Sequence, residues 1–244
     1  MKNKIIFKKI KFLNFNKKNF EKIIKKKGLF VFPSGPGLSS IDKNPLYYDA
    51  LINANLVFFD SGYFVLLLKI LKNISVNKFS GYMFFKLFIE FLKKNKSFKI
   101  LSIDPSKTSS SSNIKLYKKI GLNKINFFNY VAPLYGKKSI YDYVLVKKIN
   151  KIKPRYVIIN IAGGKQEILG LYIKKKCKHK CTILCTGAAI AYFSGEQAPM
   201  NIFFDKLYLG WLIRILFDPK VFLPRYLKTF SLFFIVLKNK ATIR

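Results

Sequence analysis

Five short apolar runs, NLVFF (55–59), FKILSI (98–103), KINFFNY (124–130), RYVIINIA (155–162) and CTILCTG (181–187), are each bounded by polar or glycine-containing turns. Between them lie longer stretches with apolar residues at helical spacing, such as Ile114, Leu116 and Ile120, or Tyr143, Leu145, Val146 and Ile149. Parallel strands cannot be joined by a tight turn and need a crossover, usually a helix. The alternation therefore predicts an α/β fold, a Rossmann-like parallel sheet with helices on both faces. No internal repeat is present, and SKTSSSS at 106–112, the one low-complexity patch, reads as a loop.

The 244 residues suffice for one domain of about 180 to 200 residues plus an appendage. Half of them are apolar and the formal net charge is +35. That balance excludes a disordered acidic chain and points to an anionic partner: phosphate, nucleic acid or an anionic membrane surface. Of the 46 basic residues only Arg155, Arg214, Arg225 and Arg244 are arginine. A lysine excess also arises by codon drift in an AT-rich genome, so the scarce arginines carry more information than the lysines.

Cys177, Cys181 and Cys185 are odd in number and follow no secretory signal, which argues for reduced thiols in the cytoplasm. His179 is the single histidine and no second ligand cluster accompanies it, so the cysteines read as small buried hydrophobes and no metal or other cofactor is expected. Residues 1–27 form a basic amphipathic segment without the apolar core of a signal peptide. No run of about 18 apolar residues occurs; LYLGWLIRILF (207–217) and TFSLFFIVL (229–237) suit a surface-lying segment rather than a spanning one. The expected division is thus the N-terminal segment 1–27, an α/β domain over 28–195 and a basic, helical, membrane-associating C-terminal appendage over 196–244.

Ligands of such sheets bind beyond the carboxyl ends of the strands. Polar residues there are few, because the chain has only 11 acids. Asp60 ends LVFFD, Asp104 ends ILSID, Gln166 and Glu167 follow IINIAGG, and Thr186 and Gly187 follow ILC. Asp60 is the best-placed acid for general base work, with Glu167 and Asp104 behind it. From its position alone, a helix N-cap is the reading that Asp60 favours. The remaining aspartates, Asp142 and Asp205 among them, read as solvated. Gly163 and Gly164 before a helix suit a phosphate, although neither GxGxxG nor GxxxxGK[ST] is present.

The order LVFFDSGY, KFSGYMFFKLF (78–88), VIINIAGGKQE, ILCTGAAIAYFSGEQAP (183–199) and LYLGWLIRILFDPKVFLPRY (207–226) resembles the WecG/TagA/CpsF family, glycosyltransferase family 26, over roughly residues 30–230. The resemblance implies transfer of an N-acetylmannosamine-like sugar from a UDP-sugar to a polyprenyl-diphosphate-linked sugar, in bacterial cell-envelope polysaccharide synthesis. It implies that Asp60, in Asp60-Ser61-Gly62, deprotonates the acceptor hydroxyl. The family's Pro-Lys-Gln-Glu falls on Gly164-Lys165-Gln166-Glu167, with Gln166 in the donor pocket. Its C-terminal tail falls on Trp211, Arg214, Pro219 and Arg225-Tyr226, and is implied to dock on the cytoplasmic face of the plasma membrane and close the site. Nucleic acid is not among the implied partners, and a homo-oligomer is left open.

The departures are specific. The family's Thr-x-Asn falls on Phe32-Pro33-Ser34, leaving Ser34 as the polar group, and its Arg before Val-x-Gly falls on Lys78, which keeps the charge without the bidentate fork. Three family acids fall on Met83, Ala191 and Gly210. No Asp-x-Asp exists to hold a metal, so an inverting transfer here relies on side-chain cations and helix N-termini, with Lys78, Arg214 and Arg225 as candidates. Two other readings of the composition remain: a basic nucleic-acid-binding protein, and a non-catalytic peripheral membrane protein.

Overall fold

The computed structural model describes residues 4–122, 125–136, 140–196, 204–205 and 208–243. The chain opens with a hairpin, β1 (Lys4–Phe7) and β2 (Ile10–Leu13), turned by Lys8 and Lys9 at φ of 46° and 62°. After α1 (Phe20–Ile24), β3 (Gly28–Val31) leads through α2 (Gly35–Leu38) and α3 (Pro45–Ile52) to β4 (Leu56–Phe58). Next come α4 (Gly62–Lys72), α5 (Gly81–Lys94), β5 (Ile100–Asp104), α6 (Lys107–Lys119) and β6 (Phe127–Val131). Alternation continues with α7 (Tyr143–Ile152), β7 (Tyr156–Ile159), α8 (Lys165–Lys176) and β8 (Thr182–Cys185). The C-terminal part holds α9 (Ala191–Ser194), α10 (Gly210–Phe217), α11 (Pro219–Thr229), α12 (Ser231–Lys238) and β9 (Ala241–Ile243).

Among the described residues these strands make one nine-stranded sheet in the order β6-β5-β7-β8-β3-β4-β2-β1-β9. Every pairing from β6 to β2 is parallel, and β1 is antiparallel to both its neighbours. The expected mostly parallel α/β sheet is therefore present. The residues read as a basic amphipathic N-terminal segment contribute β1 and β2 to that sheet. Their alternation has the period of a strand: Ile5, Phe7, Ile10 and Phe12 are buried, while Lys4, Lys9 and Lys11 are exposed. β9 then pairs with β1, Ile5 opposite Ile243, so the two ends of the chain meet in one ladder.

Two sequence expectations are corrected. SKTSSSS begins α6 rather than forming a loop, because Ser106 caps the helix by accepting from the Ser109 amide (3.1 Å), and Ser110 and Asn113 turn inward. The KINFFNY strand starts only at Phe127, and its Lys124 lies outside the described residues.

Both faces of the central strands are buried, as strands covered by crossover helices require. Leu29, Val31, Val57, Phe59, Ile183 and Cys185 face one layer, built with α3, α4, α7, α8 and α12. Phe30, Phe32, Phe58, Tyr156, Ile158 and Leu184 face the other, built with α1, α5 and α6. That second layer is largely phenylalanine. Phe32 stacks on Phe58 with ring centres 4.5 Å apart and planes 8° from parallel, and Phe79 and Phe84 close around the pair. The cluster fixes where the segment before α5 crosses the strand ends. All three cysteines are free and buried, as small hydrophobes would be.

Removing the Phe58 ring leaves a cavity under this crossing, so Phe58→Ala lowers unfolding free energy by about 3–5 kcal/mol. Phe234→Ala, at a 60 % exposed position, changes it by less than about 0.5 kcal/mol. Denaturant midpoints of the two variants measure both.

Candidate functional site

β4 lies beside β3, but the next strand, β5, lies beyond β3, β8 and β7 on the other side. Ligand sites form where connections diverge in this way, outside the carboxyl ends. Along that edge stand Ser34 after β3, Asp60 after β4, Gly163 and Gly164 after β7, and Gly187 after β8.

Asp60 is half-buried, and its Oδ1 accepts the Gly81 amide at 2.8 Å. Among the described residues its Oδ2 accepts no hydrogen bond. The cap of the following helix, α4, is Ser61, which accepts from the Phe64 amide (3.2 Å), so Asp60 instead serves the first turn of α5. α5 can come this close because Gly81 has no side chain: a Cβ there would sit 2.4 Å from the Thr186 carbonyl oxygen. Burial raises the Asp60 pKa above the ordinary aspartate range. The Gly81 hydrogen bond and the cations Lys78 and Arg214 recover part of that shift, and Asp205 adds to it.

Gln166 and Glu167 are almost fully buried and brace the loops after β7 and β8. Glu167 accepts from the Gly164 amide (2.7 Å) and the Gln166 side-chain amide (2.9 Å), while Gln166 Oε1 accepts from the Gly187 amide (3.1 Å). Both glycines have positive φ, 86° and 67°, which allows these tight turns. Gln166 is thereby held with one side-chain N–H free of Glu167. Burial pushes Glu167 up to about 7, against its own backbone amide and the Gly164 and Gln166 donors, which favour its charge, and the Asp60 carboxylate adds to the rise. Tyr47, buried on α3, feels both Glu167 and Asp60 and has its phenol raised by burial first and then by them. Ser34 caps α2 through the Gly37 amide (3.4 Å), and Gly37 lies against the Tyr47 hydroxyl.

The C-terminal part reaches the same edge. Arg214 on α10 donates Nε to the Tyr192 hydroxyl and lies 5.4 Å over that ring. Lys78 is committed differently from expectation: it pairs with Asp205 at 2.6 Å, and Ser80 donates to the other Asp205 oxygen at 2.9 Å. Asp205 is buried, not solvated, as is Asp142, which accepts from Tyr130 and Tyr135 and caps α7. Lys78 also lies 5.3 Å over the Tyr208 ring, and Tyr208 packs on Gly62, the first residue of α4. Thr229 of α11 lies against Gly35. Arg225 is exposed and lies 5.8 Å over the Phe222 ring.

The structure thus brings together Asp60, Gly164, Gln166, Glu167, Gly187 and Arg214, with Ser34 at the rim and Lys78 held by Asp205. Tyr47, Tyr192 and Asp205 are members that the sequence reading missed. Asp205 is 127 residues from Lys78, and local spacing cannot announce such a pair. Among the described residues no group of three or more His, Cys, Asp or Glu is placed to hold a metal ion.

An acid with one free oxygen, flanked by a guanidinium at the carboxyl edge of a parallel sheet, is the layout of an α/β group-transfer enzyme. Residues 5–244 match the model of the glycosyl transferase WecG/TagA/CpsF family, and the chain belongs to that family. It is a glycosyltransferase, acting on a sugar donor and an acceptor. Comparison with curated proteins gave no match. Of the segments that carry the resemblance, Gln197, Ala198, Pro199 and Leu207 lie outside the described residues.

Glu167 binds its proton more tightly folded than unfolded, so its own contribution to stability falls as pH rises from about 4.5 to about 7 and is level above. Glu167→Gln does not titrate. Between about pH 4 and about pH 8 the variant should gain about 3 kcal/mol relative to wild type, read as the pH dependence of the difference in unfolding free energy.

Proposed function

We propose that this glycosyltransferase moves an N-acetylmannosamine-like sugar from a UDP-sugar to a polyprenyl-diphosphate-linked sugar in cell-envelope polysaccharide synthesis, with inversion and Asp60 as general base. The observation that carries the reading is the division of labour in the Asp60 carboxylate. Oδ1 is held by the Gly81 amide, which fixes the group, while Oδ2 is free and burial has raised the proton affinity. In the reaction Oδ2 takes the proton of the acceptor hydroxyl as its oxygen bonds to the anomeric carbon. The bond from that carbon to the diphosphate oxygen breaks on the opposite face, and UDP leaves with the electron pair.

The leaving charge needs fixed positive groups. Arg214 is suited to this, since Tyr192 occupies its Nε and leaves the other guanidinium N–H groups for the diphosphate. The Gly163-Gly164 turn at the start of α8 brings a helix N-terminus to the same place. Gln166 faces the donor with its remaining N–H, and Ser34 lies on the acceptor side, next to Asp60 in strand order. Lys78 acts through Asp205, holding the tail against the loop before α5 rather than touching the diphosphate.

A polyprenyl acceptor requires access to a bilayer. No helix of the described residues is long and apolar enough to cross one. α10 to α12 instead expose Trp211, Leu216, Phe217, Leu227 and Phe230 among Lys220, Arg225 and Lys228, the composition of helices that lie in an anionic interface. Arg225, exposed over the Phe222 ring, belongs to this docking surface. We place the enzyme peripherally on the cytoplasmic face of the plasma membrane.

Asp60→Asn keeps an acceptor for the Gly81 amide and removes the base. Release of UDP from a UDP-sugar, in the presence of a polyprenyl-diphosphate-linked sugar, should fall by about 10²- to 10⁴-fold with little change in nucleotide binding. Unchanged release would remove Asp60 from the mechanism.

A further inference from the structure

A second polar cluster lies on the same edge, four strands from Asp60, and the transfer chemistry above does not use it. Asp104, the last residue of β5, is fully buried. Its Oδ1 accepts three hydrogen bonds, from Ser102 (2.7 Å), Asn113 on α6 (2.8 Å) and Asn160 after β7 (2.9 Å). Among the described residues its Oδ2 accepts none, and the Oδ1 atoms of Asn113 and Asn160 are buried without a donor as well; the Tyr117 hydroxyl, which feels the Asp104 charge, is likewise buried without a partner. A carboxylate can only accept, so it dictates both amide orientations: each nitrogen faces Asp104 and each carbonyl oxygen is turned away. Asp104 Oδ1 is therefore satisfied within the cluster, while three acceptor oxygens, Asp104 Oδ2 and the Oδ1 atoms of Asn113 and Asn160, are left unpartnered. Buried polar groups in proteins are rarely left so. Half-buried Asn160 is the way in.

What such a group of acceptors takes is a ligand rich in O–H or N–H donors and free of negative charge at that point. We propose that Asp104, Asn113 and Asn160 form a subsite for the ribose hydroxyls of the donor nucleotide, an inference that rests on the donor being a UDP-sugar. Strand order supplies the ruler. From β4 to β5 the sheet runs β4-β3-β8-β7-β5, four steps of about 4.8 Å, or about 19 Å in all. With the reacting sugar at Asp60 and the diphosphate at the Gly164 turn after β7, the nucleoside extends over β5, where Asp104 stands. A hydroxyl of the transferred sugar has the same chemistry but belongs at the opposite end of this span.

The test is equilibrium binding of UDP, 2′-deoxy-UDP, 3′-deoxy-UDP and free N-acetylmannosamine to the full chain, with and without magnesium. Asp104→Asn is the informative variant, because its side-chain oxygen can keep the three existing donors while an NH₂ replaces the unpartnered oxygen; Asn160→Ala is the second. Wild type should prefer UDP over at least one deoxy analogue by about ten- to a hundredfold, and both variants, folded by their thermal melts, should lose that preference. Equal binding of all three nucleotides by wild type overturns the subsite while leaving the donor reading intact. The same holds if the preference survives in both variants. Loss of only N-acetylmannosamine binding in Asp104→Asn, or magnesium binding at Asp104 without nucleotide, assigns the oxygens to another ligand and overturns it too. Failure of wild type to bind UDP at all overturns the donor reading and the subsite with it.

Discussion

The hydrogen bond from the Gly81 amide to Asp60 is the contact on which the site depends. It requires α5 to start directly over the end of β8, and only a residue without a side chain can stand 2.4 Å, measured from where a Cβ would be, from the Thr186 carbonyl. It also requires the chain before α5 to be held down. The stacked Phe32 and Phe58 rings and the Phe79 ring beside them do that from below. From above, the Asp205 carboxylate ties Lys78 and Ser80, the residues on either side of Phe79 just before α5 begins at Gly81. The apolar layer, the glycine and the ion pair converge on one backbone amide.

A sheet buried on both faces leaves its strands no room for polar side chains except at their ends. The carboxyl edge therefore collects them: Asp104, Asn160, Gln166, Glu167, Thr186 and Asp60 all lie there. Burial then differentiates the acids. Glu167, gripped by two donors, acts as a brace for the turns on either side of it, and Asp60, with one oxygen committed, keeps the other for chemistry. The C-terminal helices complete the edge by bringing Arg214 to Tyr192 and Thr229 to Gly35.

Much of the sheet was legible because β4 to β8 are continuous apolar runs flanked by turns, whereas the four-residue β3 between β8 and β4, and the short β9, were not read as strands. β1 and β2 were not, because their turn is Lys8-Lys9 rather than a glycine-containing pair, and a lysine-rich alternation reads as a charged arm. α6 hid behind its serines, which serve as cap and inward-facing polar residues rather than as loop. At the carboxyl edge, local spacing was enough to put Asp60, Gln166 and Glu167 after strands, where they stand. It could not reveal that Ser61 takes the cap of α4 and frees Asp60 for α5, nor that Lys78 is neutralised by Asp205. Those facts depend on residues far apart in sequence that only the folded sheet brings together.

Asp60 and Glu167 both hold protons above the ordinary carboxylate range, and Glu167 senses the Asp60 charge, so kinetics must say which one is the base. The direct measurement is the pH dependence of kcat/KM for sugar transfer in wild type and in Glu167→Gln. If Asp60 is the base, wild type shows an acidic limb above the usual aspartate range, and Glu167→Gln retains that limb with at most a small displacement. An acidic limb that disappears in Glu167→Gln contradicts the account and transfers the role to Glu167.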